Sequence, residues 1–226
     1  MSGFDYNAIK QLIRRNDKTR ITMKLLYTTN SPYARKVRIV AAEKHIEVEL
    51  QEVVLSDPDC PVKHYNPLGK VPVLILSDEE SLYDSRVITE YLDNRTPQAH
   101  LIPKDNGSKS AVRRWEALAD GVCDAAVAVM LEQRKPLEKQ DEATIGRQMD
   151  KVLRGLSVLN NDLDTHKWCV ANTFSLADIA VGCVLGYIKL RFSQVIDLAK
   201  DYPNLERINK ALQARKSFKE SAPVSN

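Results

Sequence analysis

From Lys24 onward the chain alternates between two hydrophobic periods. Leu25-Leu26-Tyr27 is a short apolar run of strand type, and Asn30-Ser31-Pro32 is a turn that sets proline in the first turn of a helix. Tyr33 to Lys44 then carries Val37, Val40 and Ala41 on one face, with Arg35, Lys36 and Arg38 expected largely elsewhere, the pattern of an amphipathic helix. Glu47 to Val53 alternates apolar and polar positions, as a half-buried strand does. Val71 to Leu76 is a second apolar run. The turn Ser77 to Glu80 and the strand Ser81-Leu82-Tyr83 make it a hairpin, and Val87 to Arg95 reads as a helix. The predicted order is β-α-β-loop-β-β-α.

The period changes after Pro97. Pro103, Asn106, Gly107 and Ser108 form a polar connection, and the remainder is helical. Trp115, Leu118, Ala119, Val122, Ala126, Val129 and Met130 fall on one stripe, and Ile145, Met149, Val152, Leu156, Leu159 and Leu163 on a second. Ser175 to Arg191 is apolar nearly all round and is expected inside a bundle, and a last helix, started by Asp201-Tyr202-Pro203, is marked by Leu205, Ile208, Ala211 and Leu212. These patterns predict an α/β domain at 23–98 and an all-helical domain at 107–222. Residues 1–22, with a short amphipathic stretch from Ala8 to Arg15, are set apart as an N-terminal extension.

Composition narrows the function classes. The 226 residues hold 43% hydrophobic and 28% charged residues with a net charge of +3, which is ordinary for a globular protein. The basic residues gather only at Lys10 to Arg20, which is no nucleic-acid footprint for the rest of the chain. Cys60, Cys123, Cys169 and Cys183 are widely spaced with no Cys-x-x-Cys pair, so neither a metal site nor a disulfide framework is expected. No apolar stretch reaches membrane-spanning length, and the expected setting is the cytoplasm with reduced thiols.

Three short segments carry candidate chemistry. Ser31-Pro32-Tyr33 lies at a strand-to-helix turn, where unpaired backbone N–H groups and the helix dipole favour an anion such as a thiolate. Taken alone, Ser31 reads first as an ordinary helix cap, which serine favours anyway. Val71-Pro72 lies at the mouth of a strand, where proline cannot join the ladder. A cis bond would turn the chain and free the Val71 backbone for a ligand; an ordinary loop is the other reading. Asp84-Ser85 precedes a helix. Ser85 there could grip a carboxylate and Asp84 an ammonium group, or the pair could simply start the helix.

Together the three motifs resemble the glutathione transferases. Ser31-Pro32-Tyr33, Asn66-Pro67-Leu68-Gly69-Lys70-Val71-Pro72 and Asp84-Ser85 stand in that family's order and spacing, and the likeness extends from Lys24 to about Phe218. Phe174-Ser175-Leu176-Ala177-Asp178 is similar to the family's buried capping box. The likeness is to a bacterial branch with serine at the active turn. It implies a thioredoxin-like α/β N-terminal domain followed by an all-α C-terminal domain. It also implies glutathione as co-substrate, no metal, a small electrophile as second substrate, and a homodimer without nucleic-acid or membrane partners. By resemblance Ser31 is the catalytic hydroxyl that stabilises the glutathione thiolate, and Val71, held by cis Pro72, pairs with the cysteinyl backbone. Ser85 takes the γ-glutamyl carboxylate, and Asp84, where many members carry Glu or Gln, reaches toward the amine with a shorter arm. Lys70 is the first candidate for the glycyl carboxylate and His64 the second. Trp115 is near the second-substrate region but sits on the core stripe. The resemblance also admits a non-catalytic adaptor on the same fold, as in relatives associated with stress or transcription.

Overall fold

The computed structural model describes residues 23–77 and 80–224. The N-terminal extension and the tip of the predicted Ser77–Glu80 turn therefore lie outside the described residues.

The first half contains β1 (Lys24–Tyr27), α1 (Pro32–Glu43), β2 (Glu49–Glu52), α2 (Val62–Tyr65), β3 (Val73–Ser77), β4 (Glu80–Leu82) and α3 (Ser85–Asn94). The strands form one sheet in the order β2-β1-β3-β4. β1 and β2 are parallel with Leu25 opposite Leu50, which requires the α1 crossover between them. β3 runs antiparallel to β1, with Leu26 opposite Val73, and β4 runs antiparallel to β3, with Leu74 opposite Leu82. Strand β2 is shorter than its alternating pattern predicts. As an edge strand it is mostly exposed, and Leu50 keeps 48% of its surface.

The second half is helical: α4 (Asn106–Gln133), α5 (Glu142–Leu163), α6 (Leu176–Phe192), α7 (Leu198–Asp201), α8 (Pro203–Gln213) and α9 (Lys216–Glu220). Sequence periodicity missed the short α7 and α9, whose four and five residues are too few for a helical stripe to register. Local chemistry sets the starts of the long helices. Asp105 accepts from Ser108 N at 2.8 Å, and Asp141 from Ala143 N at 3.0 Å. Helix α6 opens with the predicted capping box. Buried Asp178 accepts from Ser175 N at 2.8 Å, and its other oxygen accepts from Cys169 N at 2.8 Å. Trp115 is buried on the α4 stripe, as are Val122, Ala126 and Val129.

Helix α1 is the joint between the halves, packing on α3 on one side and α6 on the other. Here the sequence expectation is corrected. Arg35 and Lys36 do not face water; they are 2% and 1% exposed. Arg35 enters α6 at Gly186, where an added Cβ would sit 2.0 Å from its guanidinium. It donates to Phe218 O at 3.2 Å and Ser221 Oγ at 3.4 Å, so a cation meets a backbone carbonyl and a hydroxyl near the end of α9. The connection between the halves is pinned as well. Buried Lys44 donates to Gln98 O at 3.0 Å and contacts Asp93 at 3.1 Å, while Asp93 accepts from Leu101 N at 2.8 Å.

Candidate active site

The strand register brings the three motifs to one end of the sheet. β1 ends at Tyr27, opposite the start of β3, and β4 ends at Leu82, opposite the same start. The turn after β1, the residues before β3 and the residues after β4 are therefore neighbours. Those positions are Ser31, Val71-Pro72 and Asp84-Ser85.

Ser31 caps α1, with its Oγ accepting from Ala34 N at 3.2 Å. A hydroxyl that accepts in this way still has its own proton to donate. The cap and the anion-stabilising role are thus compatible in one residue. The loop is braced on two sides. Thr29 N donates to Glu52 at 3.1 Å, and the Asn30 amide forms a reciprocal pair with Val224, donating to its carbonyl at 3.1 Å and accepting from its N–H at 3.0 Å.

The loop before β3 is shaped by Asn66, which is buried. Its amide nitrogen donates to Lys70 O at 2.9 Å and its oxygen accepts from Leu68 N at 3.0 Å. Gly69 takes φ +62°, a left-handed conformation that suits glycine. The Val71–Pro72 bond is cis, so the ladder begins only at Val73. Among the described residues, no hydrogen bond engages the backbone N–H or carbonyl of Val71.

Asp84 caps α3, accepting from Arg86 N at 2.9 Å. Ser85 is the first helical residue and is buried, and neither its N–H nor its hydroxyl has a partner among the described residues. Lys70 and His64 are both exposed, with the His64 ring edge-on to Tyr65 at 4.8 Å. The sheet end thus offers a free hydroxyl proton, an unpaired peptide group, and an unpaired N–H beside a hydroxyl. These three complement, in turn, a thiolate, an extended peptide and a carboxylate.

Sequence reasoning missed the charged lattice beneath this surface. Lys36 Nζ contacts Glu116 at 2.8 Å and Asp120 at 2.9 Å. Arg86, the residue after Ser85, contacts Asp120 at 2.8 Å, and Arg113 contacts Glu116 at 2.6 Å. Burial opposes the Lys36 charge, but Asp120 and Glu116 outweigh it and raise its pKa. Burial likewise opposes ionised Glu116, yet Lys36 and Arg113 hold its pKa below the ordinary carboxylate value. The Tyr33 hydroxyl donates to Asp124, and burial, followed by that hydrogen bond, pushes its pKa far above the tyrosine range. Tyr33 therefore stays a neutral phenol. One signal was readable: Glu116, Asp120 and Asp124 recur every four residues, an acidic line along one helix face.

Among the described residues no His/Cys/Asp/Glu group could hold a metal ion, and no helix is long and apolar enough to cross a membrane. Cys123 and Cys183 are buried, and Cys60 packs beside Val53, Val62 and Val73.

A four-stranded sheet with a cis proline at its ligand-facing end, joined to a helical bundle, defines a two-domain thiol-binding fold of the glutathione transferase type. Residues 25–100 match the glutathione S-transferase N-terminal domain and residues 142–207 the C-terminal domain. The GST-like protein YibF of Escherichia coli is 35% identical over 201 residues, 89% of this chain and 98% of its own length. A glutathione S-transferase from Methylobacillus flagellatus, solved with glutathione bound, is 62% identical at TM-score 0.88, covering 90% of this chain and 100% of that one. A family member from Pseudomonas fluorescens, solved with S-(propanoic acid)-glutathione, is 34% identical at TM-score 0.78 with the same coverage. The chain belongs to the glutathione S-transferase family.

Proposed function

We propose that this chain is an enzyme that binds glutathione in its 23–98 domain, ionises the thiol at Ser31 and transfers the sulfur to a small electrophile. The observation that carries the reading is the convergence of Ser31, Val71 and Ser85, each with unsatisfied polar groups, on one end of the sheet. The relatives solved with glutathione and with a glutathione thioether support it. Val71 pairs with the cysteinyl backbone beside Pro72, Ser85 takes the γ-glutamyl carboxylate, Asp84 faces the amine, and Lys70, with His64 behind it, serves the glycyl carboxylate.

The energetics are adequate. A free thiol with a pKa of about 8.5 is only a few per cent ionised at pH 7, and lowering it by about two units gives mostly thiolate. Two units correspond to about 2.7 kcal/mol. One hydrogen bond to a charged group supplies about 1.5–3 kcal/mol and a helix N-terminus about 0.3–1 kcal/mol more. The sulfur then attacks the electrophilic carbon, the C–S bond forms, and the thiol proton has already passed to water.

Ser31→Ala is the test. With an aryl halide at pH 7, kcat is expected to fall about ten- to a hundredfold, the worth of one charged hydrogen bond. Glutathione affinity, measured calorimetrically, is expected to move far less. An unchanged rate removes Ser31 as the activator, and absence of glutathione binding at several millimolar returns the chain to the adaptor reading. We further read the protein as a cytoplasmic homodimer that uses neither nucleic acid nor membrane, which light scattering on the purified chain tests for the dimer.

A further inference from the structure

The wall that faces Ser31 from the helical half contains a polar cluster that the glutathione site leaves unused. Its position follows from three contacts along α4. Lys36 meets Glu116 and Asp120, and Tyr33 meets Asp124, so α1 runs antiparallel to α4 and its Ser31 end points toward the C-terminal half of α4. Helix α6 runs alongside α4 in the same direction, because Cys183 lies near Cys123 and Tyr187 lies near both Cys123 and Arg134. The C-terminal ends of α4 and α6 thus overhang the sulfur position.

The residues there are unusual for a helical core. Tyr187 is 4% exposed; its hydroxyl and the buried Nε of Arg191 complete no hydrogen bond of ordinary geometry, and the two side chains lie within reach of one another. Tyr187 and Arg191 are four residues apart on α6 and so share a face. Arg134, which is exposed, caps the C-terminus of α4 and lies on the same side. No ion pair among the described residues involves Arg134 or Arg191. The nearby Asp124 already accepts from Tyr33. Between this cluster and Ser31, α4 presents the half-buried Val127 and Leu131, the latter 53% exposed. The wall therefore reads, outward from the sulfur, as apolar side chains and then two arginines and a buried phenol with no carboxylate paired to them among the described residues. A buried donor left unpaired is a standing cost that an anionic acceptor removes.

We propose that the electrophile conjugated by this enzyme carries a carboxylate, which Arg191, Arg134 and Tyr187 receive while its apolar body rests on Val127 and Leu131. The inference rests on the reading of the chain as a glutathione-conjugating enzyme. In the test reaction with 4-chloro-3,5-dinitrobenzoate, the glutathione sulfur attacks the ring carbon bearing chlorine. A C–S bond forms, the C–Cl bond breaks, chloride leaves with its electron pair and the thiol proton goes to solvent.

The experiment compares kcat/KM for this benzoate with that for the neutral 4-chloro-3,5-dinitrobenzamide, each divided by its uncatalysed rate with glutathione. The benzoate is expected to be favoured about tenfold or more, the yield of one charge-assisted contact. In Arg191→Gln, Arg134→Gln and Tyr187→Phe this ratio falls toward one, chiefly through KM for the benzoate. A structural role would lower both substrates together and leave the ratio intact, and that result overturns the proposal, as does a wild-type ratio near one. Calorimetric titration of the two finished conjugates gives a second readout independent of turnover. Tighter binding of the carboxylated conjugate supports the proposal, and equal affinity overturns it even if neither halide reacts. Failure of glutathione itself to bind would instead strike the conjugating reading, and the two failures are thereby told apart.

Discussion

Replacing Lys36 with methionine tests whether the buried lattice holds the two halves together. Methionine is one atom shorter than lysine but keeps most of its apolar stem, and it removes the charge together with the ammonium donors. At an effective dielectric of about 20, each contact of 2.8–2.9 Å between Lys36 and a carboxylate is worth about 6 kcal/mol of Coulomb energy, much of it spent on desolvating the ions. Removing one member of a buried pair costs about 3–5 kcal/mol, because the other charge stays buried. Arg86 and Arg113 remain on Asp120 and Glu116, so the expected loss is at the lower end, about 3 kcal/mol at pH 7. Urea unfolding followed by far-UV circular dichroism measures it. The pH dependence adds a signed check. In the parent chain Glu116 has a lowered pKa, so its contribution is present above the unfolded carboxylate value of 4.5 and is lost as pH falls through the folded value. Without Lys36 the burial that opposes ionised Glu116 loses its largest counterweight, so the variant is penalised at neutral pH and relieved as the carboxylate protonates. The stability gap should therefore narrow below about pH 5. A gap under 1 kcal/mol at pH 7, or one that does not change with pH, would refute this account.

Two further substitutions probe other joints. Gly186→Ala places a Cβ against the Arg35 guanidinium and should destabilise by about 1–3 kcal/mol, seen as a lower urea midpoint at unchanged slope; a neutral effect would mean that Arg35 moves aside freely. Asp178→Ala removes the acceptor shared by Ser175 N and Cys169 N, leaving two buried or half-buried donors unpaired, and should cost about 2–5 kcal/mol by the same assay; a loss under 1 kcal/mol would reduce the capping box to a minor contact.

The parts of the fold that were legible are those in which one segment states its own burial. Val152, Leu156, Leu159 and Leu163 repeat at helical spacing and are fully buried, and Ser175 with Asp178 writes a helix start within four residues. The Ser31 cap was legible for the same reason, since it depends on neighbours in sequence, whereas the residues alone left Val71–Pro72 open between a cis bond and an ordinary loop and only the family likeness pointed to cis. Arg35 and Lys36 were misplaced because helix α1 is covered on two sides, by the sheet half and by α6. A periodicity argument assigns charged positions to water when their partners lie far along the chain. The partners of Lys36 are 80 and 84 residues away, and no local pattern announces them. The acidic line Glu116, Asp120 and Asp124 becomes informative once it is set against the residues it meets: Lys36 on α1, Arg86 beside Ser85, and Tyr33 beside Ser31. One face of α4 thereby positions two of the three segments that would hold glutathione. On the proposed reading, the geometry of the glutathione site depends on the ion pairs and the Tyr33–Asp124 hydrogen bond between the halves, and a change there should disturb ligand binding and stability together.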